Sequence, residues 1–144
     1  MRTLVLAGLC TAIAAAPIAR TVALTGTEQM KFDKHDVMVR AGETLRVVVK
    51  AVGVMPKPAM AHNFVLVKPD TDLDRFSAAA FNARESDYIP PEMAGGVIAH
   101  SGLAGAGETV EVTFTAPDTP GRYPFFCSFP GHFAHGMRGV LVVK

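Results

Sequence analysis

Residues 125–139, FFCSFPGHFAHGMRG, bring Cys127, His132, His135 and Met137 within eleven positions of one another. Thiolate and thioether are soft donors and imidazole suits copper. Two imidazoles and a thiolate with a weak axial thioether form the blue-copper set. The stretch supplies the sulfurs and one imidazole, so a second histidine must come from elsewhere. Cys127 follows an apolar run, Tyr123–Phe126, and Gly139–Val143 is the next run rich in β-branched residues. A loop fixed at both ends by strands can fold several side chains around one point. The alternatives for Cys127 are a buried inert cysteine, an intermolecular bridge or a reactive thiol.

The chain has five histidines: His35, His62, His100, His132 and His135. His62 opens the apolar run His62-Asn63-Phe64-Val65-Leu66-Val67. A side chain at the start of a strand projects from the end of a sandwich, where a C-terminal loop could meet it. His62 is therefore the candidate second imidazole. His35 lies among Asp33, Lys34 and Asp36, and His100 precedes a glycine-rich stretch, so both read as surface residues. His135 remains an alternative ligand, although three positions after His132 is an awkward spacing, and otherwise reads as a rim residue.

These donors need an exported, folded scaffold. Arg2 precedes an uncharged apolar run from Leu4 to Ala16, and small residues follow to Ala19. This is the pattern of a secretory signal peptide over residues 1–19, and the run is too short to span a bilayer as a helix. An uncleaved anchor is the alternative. Cys10 leaves with the leader, so the mature chain of about 125 residues keeps one cysteine and suits one domain, 20–144. Its formal charge is near zero and it has no basic block, which argues against nucleic acid and anionic membrane as partners. No second apolar stretch is long enough for a membrane span.

The mature chain reads as all-β. Candidate strands are 21–26, 36–40, 44–50, 63–68, 108–115, 122–127 and 138–144, separated by Gly/Pro turns such as Pro117-Asp-Thr-Pro-Gly121. Short strands at such spacing predict a sandwich or barrel, with antiparallel, half-buried alternation. Asp72–Phe81 predicts one short inserted helix with Leu73, Phe76, Ala80 and Phe81 on one face. Residues 82–107 read mostly as loop. Met30 and Met38 read as core filling.

The HNFVLV run after Ala61, together with FFCSFPGH and Met137-Arg138-Gly139, resembles the azurin branch of the cupredoxins. The likeness extends to Gln29-Met30-Lys31-Phe32 and Val97-Ile98-Ala99-His100, and so covers about residues 20–144. It implies a Greek-key β-sandwich or barrel and one type 1 copper ion held by His62, Cys127, His132 and Met137. It also implies a periplasmic electron carrier rather than an enzyme. Two departures stand out. The step from His132 to Met137 is five positions, as in auracyanins, where azurins have four. Ala61 stands where azurins have the glycine whose carbonyl approaches the metal.

By the same resemblance both histidines bind through Nδ1, the Phe129 N–H donates to the Cys127 sulfur, and Asn63 ties its strand to the loop near Ser128. Redox partners would dock transiently at an apolar pole around His132, formed by Met60, Phe129 and Phe133. The rival function is a periplasmic copper carrier or chaperone. Zinc also accepts cysteine and histidine. Multicopper oxidases need His-x-His pairs, which the chain lacks.

Overall fold

The computed structural model describes residues 18–144. The expected leader over 1–19, with Cys10, lies outside the described residues apart from its last two positions. The strands in chain order are β1 (Arg20–Thr27), β2 (Lys31–Phe32), β3 (Asp36–Val39), β4 (Thr44–Val52), β5 (Ala61–His62) and β6 (Val65–Val67). A helix α1 (Leu73–Ala80) follows, then β7 (Val97–His100), β8 (Ala104–Gly105), β9 (Thr109–Thr115), β10 (Gly121–Phe126) and β11 (Arg138–Val143). One sheet has the order β2-β1-β4-β9 and the other β3-β11-β10-β6-β7, while β5 and β8 form a small pair at one end.

Two pairings depart from the antiparallel expectation. β1 runs parallel to β4, and β3 runs parallel to β11. The chain leaves β1, crosses to the second sheet at β3 and returns for β4, so β4 arrives beside β1 in the same direction. Local alternation reports which face is buried, but not the direction of the neighbour.

The two inner faces interdigitate as alternating side chains. β4 buries Leu45, Val47, Val49 and Ala51 on one face and exposes Arg46 and Lys50. Across the core stand Val37, Val39, Tyr123, Phe125, Leu141 and Val143. Phe125 packs against Phe32 and Phe64, with ring centroids 5.9 and 5.3 Å apart. β9 keeps Val110, Val112 and Phe114 on the inner side, half-buried.

The second sheet is covered on its outer face as well. Val65, Val67, Phe76, Ile89, Phe126 and Phe133 make a second apolar cluster there. This explains why Phe64-Val65-Leu66-Val67 is continuously apolar rather than alternating: the segment that forms β6 is buried on both faces. α1 begins where the Asp72 side chain accepts from the Arg75 N–H at 3.0 Å, an N-cap. It buries Phe76 and Ala80.

Several expectations need correction. Phe81 is exposed, because it lies five residues after Phe76 and so on another side of the helix. Met38 is exposed too, since Val37 and Val39 take the inward positions of β3. Met30 is half-buried in the turn after β1, with φ +55°. Within 82–107, residues 97–100 and 104–105 form strands, and 84–86 and 91–96 form short 3₁₀ turns. These strands are too short for sequence alternation to mark.

Leu45 is fully buried at the end of the sandwich remote from His62. Leu45→Ala is expected to lower the unfolding free energy by about 2–5 kcal/mol in urea titration, the usual cost of an unfilled core cavity.

Candidate metal centre

Four side chains from two stretches of the sequence, His62 and residues 127–137, lie at one end of the sandwich. His62 ends β5, Cys127 follows β10 directly, His132 lies in the loop and Met137 precedes β11. All four are buried. His62 Nδ1 lies 3.3 Å from His132 Nδ1, and Cys127 Sγ lies 3.4 Å from His132 Nδ1. One donor atom from each of His62, Cys127 and His132 falls within 4.8 Å of the others. The Ala61 carbonyl oxygen is 3.9 Å from the sulfur. His135 turns away from this group, with its exposed ring donating from Nδ1 to the Gly131 carbonyl at 2.9 Å.

The spacings fit a metal. With bonds of about 2.0 Å to nitrogen and about 2.3 Å to sulfur, a tetrahedral ion separates its donors by about 3.3 Å (N to N) and about 3.5 Å (N to S). The observed separations of 3.3 and 3.4 Å are edges of that size. Imidazole and thiolate donors in this number suit copper or zinc.

Backbone hydrogen bonds fix the loop from within. Cys127 N–H donates to the Met137 carbonyl, Met137 N–H to the His132 carbonyl and His132 N–H to the Phe129 carbonyl, each at 3.0 Å. Asn63 joins the β5–β6 segment to the loop. Its Oδ1 accepts from the Ser128 N–H at 2.9 Å, and its Nδ2 donates to Ser128 Oγ at 2.9 Å and to the Asp87 carbonyl at 3.2 Å. A fully used, buried amide of this kind holds one geometry, because leaving any of its bonds unmade is costly.

Gly26 is a contributor that the sequence did not reveal. A Cβ built on it would lie 2.8 Å from His62 Cδ2 and 3.0 Å from Met137 Cε. Any side chain there would push into both residues. The available signal was a glycine inside a strand, which marks close approach of other groups.

The pole is less apolar in its rings than expected. Phe129 is 8% exposed and Phe133 6% exposed, with Phe133 turned into the outer cluster against Phe126. Phe129 lies between the His132 ring, 4.8 Å away, and Tyr88, 5.0 Å away. Met60 is half-buried. In the loop that leads to His62, Val54, at 91%, and Met55, at 39%, are exposed.

Burial sets the protonation states of the metal-free centre. It pushes the Cys127 thiol up to about 12, against the Asn63 and Phe129 N–H groups, which favour the thiolate. It lowers His62 to about 4, partly opposed by the Glu28 carboxylate. It lowers His132 to about 3, aided by the charges of His62 and His135. Without metal the donors are therefore a neutral thiol and two neutral imidazoles.

Residues 19–144 match the family described as copper binding proteins, plastocyanin/azurin family. Azurin of Pseudomonas fluorescens biotype C is 36% identical over 126 residues, which is 85% of this chain and 97% of the relative. Auracyanin-A of Chloroflexus aurantiacus is 37% identical over 119 residues, covering 81% of this chain and 69% of the relative. The solved structure of dithionite-reduced auracyanin from the photosynthetic bacterium Roseiflexus castenholzii matches with a TM-score of 0.76 at 33% identity. That match covers 88% of this chain and 98% of the other.

The two lowered imidazoles predict how stability varies with pH. Between the unfolded value of 6.5 and the folded values of about 4 and about 3, the unfolded chain binds protons that the folded one refuses. Metal-free protein is expected to be most stable above pH 6.5 and to lose stability as the pH falls through 6 and 5. The raised thiol adds a loss above pH 9. Urea midpoints measured from pH 4.5 to 10 check both limbs, and the acid limb should flatten in a His62→Gln, His132→Gln double variant.

Proposed function

The chain belongs to the plastocyanin/azurin family of copper-binding proteins, and from that premise we propose that it is a one-electron carrier with a single type 1 copper site. The observation that carries this reading is the buried convergence of His62, Cys127 and His132 on one point, with donor separations of 3.3 and 3.4 Å. In this reading His62 and His132 bind as neutral imidazoles through Nδ1. Cys127 gives up its proton to bind as thiolate, and Met137 is the weak axial donor. Copper held there supplies a one-electron couple.

The chain's contribution is rigidity. Burial keeps the imidazoles unprotonated and ready to bind. The Asn63 and Phe129 N–H groups stabilise negative charge on sulfur. The Asn63–Ser128 bonds and the loop's own backbone bonds keep the donors in place when the charge at the centre changes. Contacts of this kind also tune potential. Buried donors drawn from distant parts of the fold favour an electron carrier over a copper chaperone, which needs its metal to exchange.

The domain is 20–144, exported behind a 1–19 leader to the periplasm. Among the described residues, no helix is long and apolar enough to cross a membrane. Redox partners dock transiently at the pole beside His132. In this reading the half-buried Met60 and the exposed Val54 and Met55 of the loop that leads to His62 supply the apolar contact, and Phe129 lies beneath the surface. With formal charge near zero, encounter is weakly steered, and transient electron-transfer interfaces are small.

Copper-loaded protein is expected to show an intense sulfur-to-copper charge-transfer band that Cys127→Ser abolishes. A variant that keeps the band would refute the ligand assignment. Met137→Leu is expected to retain copper and raise the reduction potential in voltammetry, because it removes the axial donor that favours the oxidised ion.

A further inference from the structure

The hairpin made by β1 and β2 reaches both halves of the centre. Gly26 pairs with Phe32 and Thr27 with Lys31, and the turn between them closes with Met30 N–H donating to the Thr27 carbonyl at 2.9 Å. The Gly26 backbone lies against the His62 ring and the Met137 methyl. Two residues on, the Glu28 carboxylate accepts from the N–H groups of Val54 and Met55 at 2.6 and 2.7 Å, within the loop that leads to His62. Across the same turn, Lys31 Nζ donates to the His135 carbonyl. A Cβ on the following residue, Gly136, would lie 2.8 Å from that nitrogen, and Gly136 has φ +88°, a conformation that favours glycine. The His135-Gly136 turn leads directly into Met137.

We propose that this hairpin is a bracket for the centre, in which Glu28 and Lys31 are positioning residues. Glu28 fixes the approach to His62, Lys31 fixes the approach to Met137, and the Gly26 backbone sets how closely those two side chains meet. The inference deepens the electron-carrier reading and rests on it for its effect on potential. Both contacts are charge-assisted hydrogen bonds, stronger than neutral ones. The Met55 and Val54 N–H groups hold the Glu28 carboxyl below the usual carboxylate range, so it is ionised at neutral pH. The hairpin thus applies a negative charge on the His62 side and a positive charge on the Met137 side. A nearby cation favours the reduced ion and a nearby anion the oxidised one.

Amide hydrogen exchange on metal-free Glu28→Ala and Lys31→Met proteins tests the bracket without copper. Glu28→Ala is expected to speed exchange at Val54 and Met55, and Lys31→Met at Gly136 and Met137, each by about tenfold with β4 unchanged. Lys31→Arg should restore the slow rate. In copper-loaded protein Lys31→Met should lower the potential and Glu28→Ala should raise it. Unchanged exchange in both loops overturns the bracket. Faster exchange with shifts of the same sign, or none, makes the hairpin plain scaffolding and overturns the positioning role. Failure to take up copper would refute the electron-carrier reading, while the exchange result would still decide the bracket.

Discussion

Two imidazole nitrogens and a sulfur held 3.3 to 3.4 Å apart, out of water, impose the condition that the rest of the structure must meet. Polar atoms removed from solvent need partners, and these have chiefly one another. The protein meets the condition in two ways. Burial keeps all three groups neutral, so no charge is stranded in the interior. Hydrogen bonds tie the surrounding loop down, from the Cys127–Met137 and Met137–His132 backbone bonds to the three bonds made by the Asn63 side chain. The strands of the sandwich and the bonds of the loop hold this arrangement from outside. That preorganisation suits a centre whose oxidation state changes while its neighbours stay still.

The ligand loop was legible because its donors lie close together in sequence and its flanks have strand character. His62 was legible as the histidine that heads the apolar run, but it ends β5, paired with β8, and the apolar strand β6 begins only at Val65. The hairpin's part was not legible. It depends on β1 running parallel to β4 and on Gly26 lying beneath a residue 36 positions away, which no local pattern encodes. Phe129 and Phe133 illustrate the opposite error. Aromatic residues beside a ligand look like surface contacts in sequence, yet the inserted segment that carries α1 builds a second cluster that draws Phe133 inward. Met38 and Phe81 fail through single-position phase, one along a strand and one around a helix turn.

The inserted segment also explains why β6 is buried on both faces. With apolar partners on both sides, Val65 and Val67 face the outer cluster while Phe64 and Leu66 face the inner one. The strand that continues from His62 is thus clamped between two packed layers, and Asn63 carries that rigidity across to Ser128.

The position of β11 has a consequence for biogenesis. Among the described residues this strand is the last in chain order, yet it sits between β3 and β10 inside its sheet. Met137 stands at its threshold, and β11 closes the ligand loop that opens at Cys127. A nascent or prematurely ended polypeptide therefore has the cysteine and both histidines but no closed ring to hold them. Such a fragment also leaves the facing edges of β3 and β10 unpaired, so the sheet and the centre are completed together.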